Sequence, residues 1–145
     1  MRDLWLADAV LELRPLFTGA GLAVPIVAIK TGSAAIGSRR DSTAIALCTC
    51  APGLSPCVTV SDTLTDPIAI LGTIVHEMIH AADRGQSRHG VWFAGWATRL
   101  GLEGPPEATI PGRRLVRTLR AMADRLGPYP RAGARYVVYG DWVRA

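Results

Sequence analysis

Two histidines and one glutamate lie within five positions of one another in segment 76–80, which reads H-E-x-x-H. His76 and His80 are four residues apart, so on a helix both imidazoles project from one face and can reach one metal ion. Glu77 lies one step around the helix, close enough to contact a water on that metal without binding the metal itself. Two nitrogen ligands and a carboxylate base are what a zinc hydrolase requires, so the spacing predicts Zn²⁺ on His76 and His80 with Glu77 as general base.

A catalytic zinc site keeps its fourth position open and therefore needs a third protein ligand. The chain has three histidines in all, and the remaining one, His89, follows His80 by nine residues. The alternative interpretation is that the three are unrelated polar or half-buried side chains. Because a metal site explains all three together, we expect one zinc per chain on His76, His80 and His89.

The helix that carries the motif has clear start and stop signals. Asp66 is a favourable N-cap and Pro67 suits the first helical position. The run 68–75 is apolar nearly all round, which predicts burial on several sides and a rigid support for metal ligands. Gly85 is expected to end the helix.

The other elements are short and alternate in type. We predict helices over 3–14, ended by Pro15, and over 91–100 and 113–126. Strands are predicted over 24–29, 43–50, 57–61 and 136–139, and a loop over 101–111. The order predicts a single α+β domain over residues 1–145, with a small mixed or antiparallel sheet packed against the H-E-x-x-H helix. In the helix at 91–100, helical spacing favours core packing over substrate contacts for three aromatic residues: Trp92, Phe93 and Trp96.

The C-terminal part of the chain is strongly basic. Residues 113–145 hold eight Arg and two Asp, a formal charge of +6, whereas residues 1–112 carry −2. Such a region suits DNA or another polyanion, although a solvated helix face with a basic tail explains it equally well. Four arginines lie largely on the outward face of the predicted helix: Arg113, Arg114, Arg117 and Arg120.

Cysteine content and hydropathy bear on the compartment. The three cysteines, Cys48, Cys50 and Cys57, do not fit a secreted disulfide framework. We interpret them as free, mostly buried thiols, since a metal site built from them would lack a fourth soft ligand. No signal-peptide pattern appears at the N-terminus, and the apolar run 68–75 is too short to cross a bilayer. The sequence therefore predicts a cytoplasmic protein without membrane attachment.

The motif and its surroundings resemble the SprT-like metallopeptidase domain, the family that includes the Spartan proteases. The H-E-x-x-H helix is followed by a His-Gly pair at His89 and Gly90, with Phe93 three residues later. Further matches are Gly-Leu-Glu-Gly at 101–104 and Leu-Gly-Pro-Tyr-Pro at 126–130. The similarity covers roughly residues 66–130 and is greatest to short SprT-like proteins of bacteriophages and their actinobacterial hosts.

The resemblance implies a zincin-like fold, one zinc held by His76, His80 and His89, and Glu77 as the base. Spartan-type members cut proteins cross-linked to DNA, so it also implies a protein substrate that is associated with DNA. Many phage members carry a C-terminal zinc ribbon. This chain has no cysteine after Cys57, so the ribbon is absent or degenerate, and the Arg-rich part at 113–145 is left to recruit DNA.

Two functional hypotheses follow. In the first, the protein is a zinc endopeptidase in which Glu77 takes a proton from the zinc-activated water and returns it to the leaving amine. In the second, it is a zinc-stabilised module that docks nucleic acid or a protein without cleaving, but a structural zinc site needs no base such as Glu77. For the endopeptidase, the sequence leaves open which residue provides a second oxyanion donor: Tyr129, Tyr136, Tyr139 or Arg88.

Overall fold

A computed structural model describes residues 1–33, 45–132, 134–136 and 142–144, the last two segments as backbone alone. Positions 43–44 and 137–139, which belong to two of the predicted strands, lie outside the described residues. The element order is α1 (Arg2–Ala20), β1 (Ala28–Gly32), β2 (Ala46–Thr49), β3 (Cys57–Ser61), α2 (Pro67–Ala82), α3 (Val91–Leu100), β4 (Leu102–Glu103), a 3₁₀ turn (Pro106–Ala108), β5 (Ile110–Pro111), α4 (Arg113–Leu126), β6 (Ala134–Tyr136) and β7 (Trp142–Arg144).

The main sheet is mixed and has the strand order β1-β3-β2. β1 runs parallel to β3, with Ala28 opposite Cys57 and Gly32 opposite Ser61. β2 runs antiparallel to β3, with Ala46 opposite Val60. Two further pairs, β4-β5 and β6-β7, are antiparallel. The α+β class and the small mixed sheet are confirmed.

The central helix α2 joins most of the other elements. It packs against β2, β3, α3, α4 and β5, while α1 packs against β1 and α4. Val58 and Val60 of β3 are fully buried beneath these helices. The remaining fully buried large side chains come from all four helices: Leu6, Leu13, Phe17, Ile70, Leu71, Ile74, Met78, Ile79, Phe93 and Leu119. Burial of α2 on several sides, which the apolar run 68–75 predicts, is confirmed.

The predicted end of the first helix at Pro15 is wrong, because α1 continues to Ala20. Pro15 lies on the exposed face of α1, where water can satisfy the carbonyl that its missing N–H leaves free. Phe17, one turn beyond the buried Leu13, is also buried and extends the apolar stripe. Gly21, in the left-handed conformation at φ 86°, ends the helix.

Two further predictions need correction. The first strand is shifted from 24–29 to Ala28–Gly32, since the carbonyls of Val24 and Pro25 accept hydrogen bonds from the Arg14 guanidinium at 2.9 and 2.8 Å. The segment 101–111 is not a plain loop, because it contains β4, the 3₁₀ turn and β5. We call residues 102–111 the hairpin. The sequence did not reveal it because each of its strands is two residues long.

Candidate metal centre

Helix α2 holds two of the three histidines on one face. Its N-terminus is fixed as the sequence predicts, with the Asp66 carboxylate accepting the N–H of Ala69 at 2.9 Å and Pro67 in the first turn. Its end is fixed by Gly85, at φ 76°, whose N–H donates to the carbonyl of His80 at 2.7 Å. Because this helix is anchored at both ends and buried along its length, the two imidazoles are presented from a rigid support.

The three histidines converge on one point. Their Nε2 atoms lie close together, with 3.1 Å between His80 and His89 and 3.3 Å between His89 and His76. The candidate ligand atoms of the three residues all lie within 4.8 Å of one another, and each side chain is half-buried. The structure therefore brings together the three predicted ligands, close enough to bind one metal ion.

A short turn after α2 brings His89 back to the helix. The Asp83 carboxylate accepts the N–H groups of Gly85 at 3.1 Å and Ser87 at 2.9 Å, which fixes the path of the chain toward His89. Arg84 donates to the carbonyl of Ala51 at 2.9 Å and ties this turn to the chain after β2. The sequence alone predicts no role for Asp83 or Arg84. The available signal is an Asp at the end of the helix, whose short carboxylate can accept N–H groups from the turn that follows.

Phe93 forms the apolar floor of the metal centre. Its fully buried ring stacks on His80, with centroids 4.4 Å apart and planes at 23°. The rings of His76 and His89 lie 4.7 and 5.1 Å from it. The predicted core role of Phe93 is confirmed, and the ring also limits the orientations of all three imidazoles. Trp92, in contrast, is half-buried, as is Trp96.

Thr109 of the hairpin contacts His76. Its Oγ1 lies 2.7 Å from Nδ1 of His76, within hydrogen-bond distance. The hairpin approaches α2 closely at Gly72, where an added Cβ would lie 2.5 Å from Cγ of Pro111. Gly72 and His76 are four residues apart and share a helix face. Sequence reasoning missed this contact because it depends on a tertiary approach and has no signature along the chain.

The neighbouring carboxylate, Glu77, is buried and only 7% exposed. Burial raises its pKa to about 7, and a hydrogen bond from the backbone N–H of Cys48 partly opposes that rise. Both protonation states are therefore populated near neutral pH, as a group that accepts and returns a proton requires. The position of Glu77 beside β2 follows from the packing of α2 on that strand.

The two helix histidines are kept uncharged. Burial, followed by the proximity of the other histidines, lowers the pKa of His76 to about 3. Burial and then His89 lower the pKa of His80 to about 4, although Asp83 opposes the shift. At neutral pH both rings have a free nitrogen lone pair, which a metal ligand needs.

The structure describes most of the other residues that the sequence analysis named. The three cysteines are free and half-buried, and the metal-binding group found in the described residues does not include them.

Tyr129 packs edge-to-face on Trp5, with centroids 4.9 Å apart, and lies under the Arg2 guanidinium, so its ring contacts α1. Arg88 is exposed next to His89. The structure describes Tyr136 as backbone only, and Tyr139 lies outside the described residues. The four arginines of α4, Arg113, Arg114, Arg117 and Arg120, are exposed.

Comparisons with known proteins provide no relative for this chain. The chain matches no family model, no curated protein and no solved structure. Among the described residues, no helix combines the length and the apolar character needed to cross a membrane.

Proposed function

We propose that the protein is a zinc-dependent endopeptidase of the SprT-like type, with a zincin-like arrangement of an active-site helix against a mixed sheet. The observation that carries the proposal is the convergence of the ring nitrogens of His76, His80 and His89, with the buried Glu77 next to His76 on α2. Three nitrogen ligands leave a fourth position for water, as a catalytic zinc site requires. The free thiols of Cys48, Cys50 and Cys57 suit the reducing cytoplasm of a bacterium or of a phage-infected host.

The spacing of the imidazole nitrogens is compatible with zinc. A tetrahedral ion with Zn–N bonds of about 2.0–2.1 Å separates its ligand nitrogens by about 3.3–3.4 Å. The two measured Nε2 separations are 3.1 and 3.3 Å. The ligand set is also chemically suitable, because neutral imidazole is a preferred ligand of Zn²⁺.

Each residue then has a defined part in hydrolysis. When bound, zinc supplies Lewis acidity, which activates a water and polarises the scissile carbonyl. His76, His80 and His89 would hold the ion through their ring nitrogens. Glu77 takes the proton of the attacking water at its carboxylate and delivers it to the nitrogen of the leaving amine. In the metal-free chain its pKa of about 7 lets the carboxyl both accept and release a proton near neutral pH.

Strand β2 offers a place for an extended peptide. Ser61 donates its N–H to the carbonyl of Ile45 at 2.8 Å, so the backbone groups of Ala46 and the carbonyl of Cys48 face away from β3. The N–H of Cys48 faces the same way, but it is already bonded to the Glu77 carboxylate. Among the described strands, β2 has a partner on one side only. A substrate that pairs with this edge would extend along the Glu77 side of the sheet, with backbone hydrogen bonds supplying affinity for many sequences.

The test is cleavage of an unfolded protein such as casein by the zinc-loaded chain. Glu77→Gln keeps the size and the hydrogen-bonding capacity of the side chain but removes the base, so we expect it to bind zinc and to lose about 10²–10⁴-fold in rate. Asp124→Asn, at an exposed carboxylate of α4, is the matched control and should cleave normally. Cleavage by Glu77→Gln at the wild-type rate would contradict the mechanism.

The second candidate function is a zinc-stabilised module that binds DNA or a partner protein without cleaving. The observation that favours it is the exposed basic face of α4. Among the described residues, no carboxylate pairs with Arg113, Arg114, Arg117 or Arg120, whereas Arg125 of the same helix pairs with Glu12 at 3.0 Å. Cationic side chains without partners are available to phosphates. The same face would direct an active peptidase to proteins associated with DNA.

A further inference from the structure

We propose that Thr109 is a positioning residue that fixes His76 for metal binding, an inference that rests on the proposed metal centre. Its hydroxyl lies 2.7 Å from Nδ1 of His76, and both side chains are half-buried. The Nε2 atom of the same ring is the one that faces His89, at 3.3 Å. Thr109 therefore contacts the side of the imidazole opposite to the metal position.

The chemistry of imidazole explains why a hydroxyl is needed there. A neutral ring that gives the Nε2 lone pair to a metal carries its hydrogen on Nδ1. That N–H needs an acceptor, since a half-buried donor without a partner costs free energy. Thr109 Oγ1 is at the right distance to accept it. The resulting bond selects the metal-binding tautomer and limits rotation of the ring.

The three ligands are oriented by different means. His80 is held by its stack on Phe93, and His89 follows the turn that Asp83 organises. Among the described residues, the bond to Thr109 is the one hydrogen bond made by an Nδ1 atom of the three histidines. Removal of the hydroxyl should therefore act on His76 without a direct effect on the other two.

Thr109 is brought to His76 by the hairpin. Leu102 pairs with Pro111, and Glu103 pairs with Ile110. The N–H of Gly112 donates to the carbonyl of Gly101 at 2.8 Å and closes the base of the hairpin. Pro111 then rests on Gly72, one turn before His76 on α2. Backbone pairing and this close contact thus set the distance between the hydroxyl and the ring.

The experiment is a titration of the metal-free protein with Zn²⁺, and with Co²⁺ read by its visible absorption. Thr109→Val keeps the shape of the side chain and removes the acceptor, so we expect metal affinity about 10–100-fold weaker and an altered Co²⁺ spectrum. Thr109→Ser restores the hydroxyl and should return both affinity and spectrum toward wild type. The control is Thr118→Val, at an exposed hydroxyl that bonds the Arg114 carbonyl of its own helix.

The outcomes separate this inference from the proposed function. Weaker binding in Thr109→Val with rescue by Thr109→Ser supports the positioning role. Wild-type affinity and spectrum in Thr109→Val overturn it and leave the metal centre intact. Equal weakening in the Val and Ser variants also overturns it, because packing and not the hydroxyl would then matter. A wild-type protein that binds neither ion overturns the proposed function itself.

Discussion

Burial changes the pKa of His76 and His80 in one direction and the pKa of Glu77 in the other. Burial disfavours the charged form of each group, so it lowers the pKa of His76 and His80 and raises that of Glu77. Neutral imidazoles are ready to bind a cation, and a carboxyl with a pKa of about 7 is ready to exchange a proton. In the proposed mechanism, one environment thus prepares both the ligands and the base.

These shifts predict the pH dependence of the metal-free protein. In the unfolded chain His76 and His80 take up protons near pH 6.5, but in the native state they do so only near pH 3 and 4. The unfolded state therefore binds more protons on acidification, and the two histidines destabilise the native state as pH falls below 6.5. Glu77 has the opposite effect and stabilises the native state as pH falls from 7 to 4.5. Its carboxyl takes up a proton near pH 7 in the native state but only near pH 4.5 in the unfolded chain.

The sign of the Glu77 contribution can be isolated with one variant. Glu77→Gln lacks the carboxyl that opposes the effect of the two histidines. Its free energy of unfolding should therefore fall more steeply than that of wild type as pH is lowered from 7 to 4.5. The expected difference in slope is that of about one proton, about 1.4 kcal/mol per pH unit. Urea unfolding of both proteins with a chelator present, at several pH values in this range, measures it. Parallel slopes would contradict a raised pKa at Glu77.

At the scale of elements, the centre is assembled by α2 and three segments that approach it. The turn at 83–90 delivers His89, α3 delivers Phe93, and the hairpin delivers Thr109. The hairpin can come so close because α2 has no side chain at Gly72. Helix geometry places His76 one turn further along the same face, which links this packing contact to a proposed metal ligand.

Gly72→Ala should disturb the contact between α2 and the hairpin. The added methyl overlaps the Pro111 ring, which is too rigid to move aside, so we expect a loss of about 1–3 kcal/mol in stability. Zinc affinity should fall as well, because the hairpin carries Thr109 away from His76. Thermal unfolding and zinc titration measure the two effects.

The matched control for this variant is Gly95→Ala. Gly95 lies on the exposed side of α3, and a Cβ there meets nothing within 4 Å. This change should stabilise α3 by about 0.5–1 kcal/mol through helix propensity and leave zinc affinity as it is. An unchanged zinc affinity in Gly72→Ala would show that the hairpin does not support the centre.

Sequence reasoning succeeded where the information is local. Cap residues and apolar period placed α2 and α4 correctly, and the four-residue spacing placed His76 and His80 on one face. It failed where contacts between residues far apart in the sequence determine the structure. Pro15 did not end α1, because the burial of Phe17 continues the helix. Thr109 and the hairpin were missed because their positions depend on the approach to Gly72.

At the scale of the whole molecule, charge is separated from the metal centre along the chain. Residues 113–145 carry a formal charge of +6, and residues 1–112, which hold all three histidines, carry −2. If the guanidinium groups of α4 bind a polyanion, as proposed, that contact lies on a different helix from the one that carries His76, His80 and Glu77. A peptidase of this design could hold DNA on one helix while a protein chain reaches the zinc.

DNA binding through α4 predicts a strong dependence on salt. Affinity for duplex DNA should fall as salt rises, and each phosphate-contacting arginine that is replaced by Gln should reduce the logarithmic slope by roughly one. The replacements are Arg113, Arg114, Arg117 and Arg120. Arg125→Gln is the control, because its guanidinium already pairs with Glu12. Salt-independent affinity, or equal slopes in all variants, would exclude this surface as a phosphate-binding site.

The central claim is that His76, His80 and His89 hold one zinc ion, and elemental analysis of the purified chain after dialysis tests it most directly. We expect one zinc per wild-type chain and much less in His89→Ala, which retains only the two ligands of α2. A wild-type chain without zinc after exposure to excess metal would contradict the account. Zinc retained in full by His89→Ala would contradict the assignment of the third ligand.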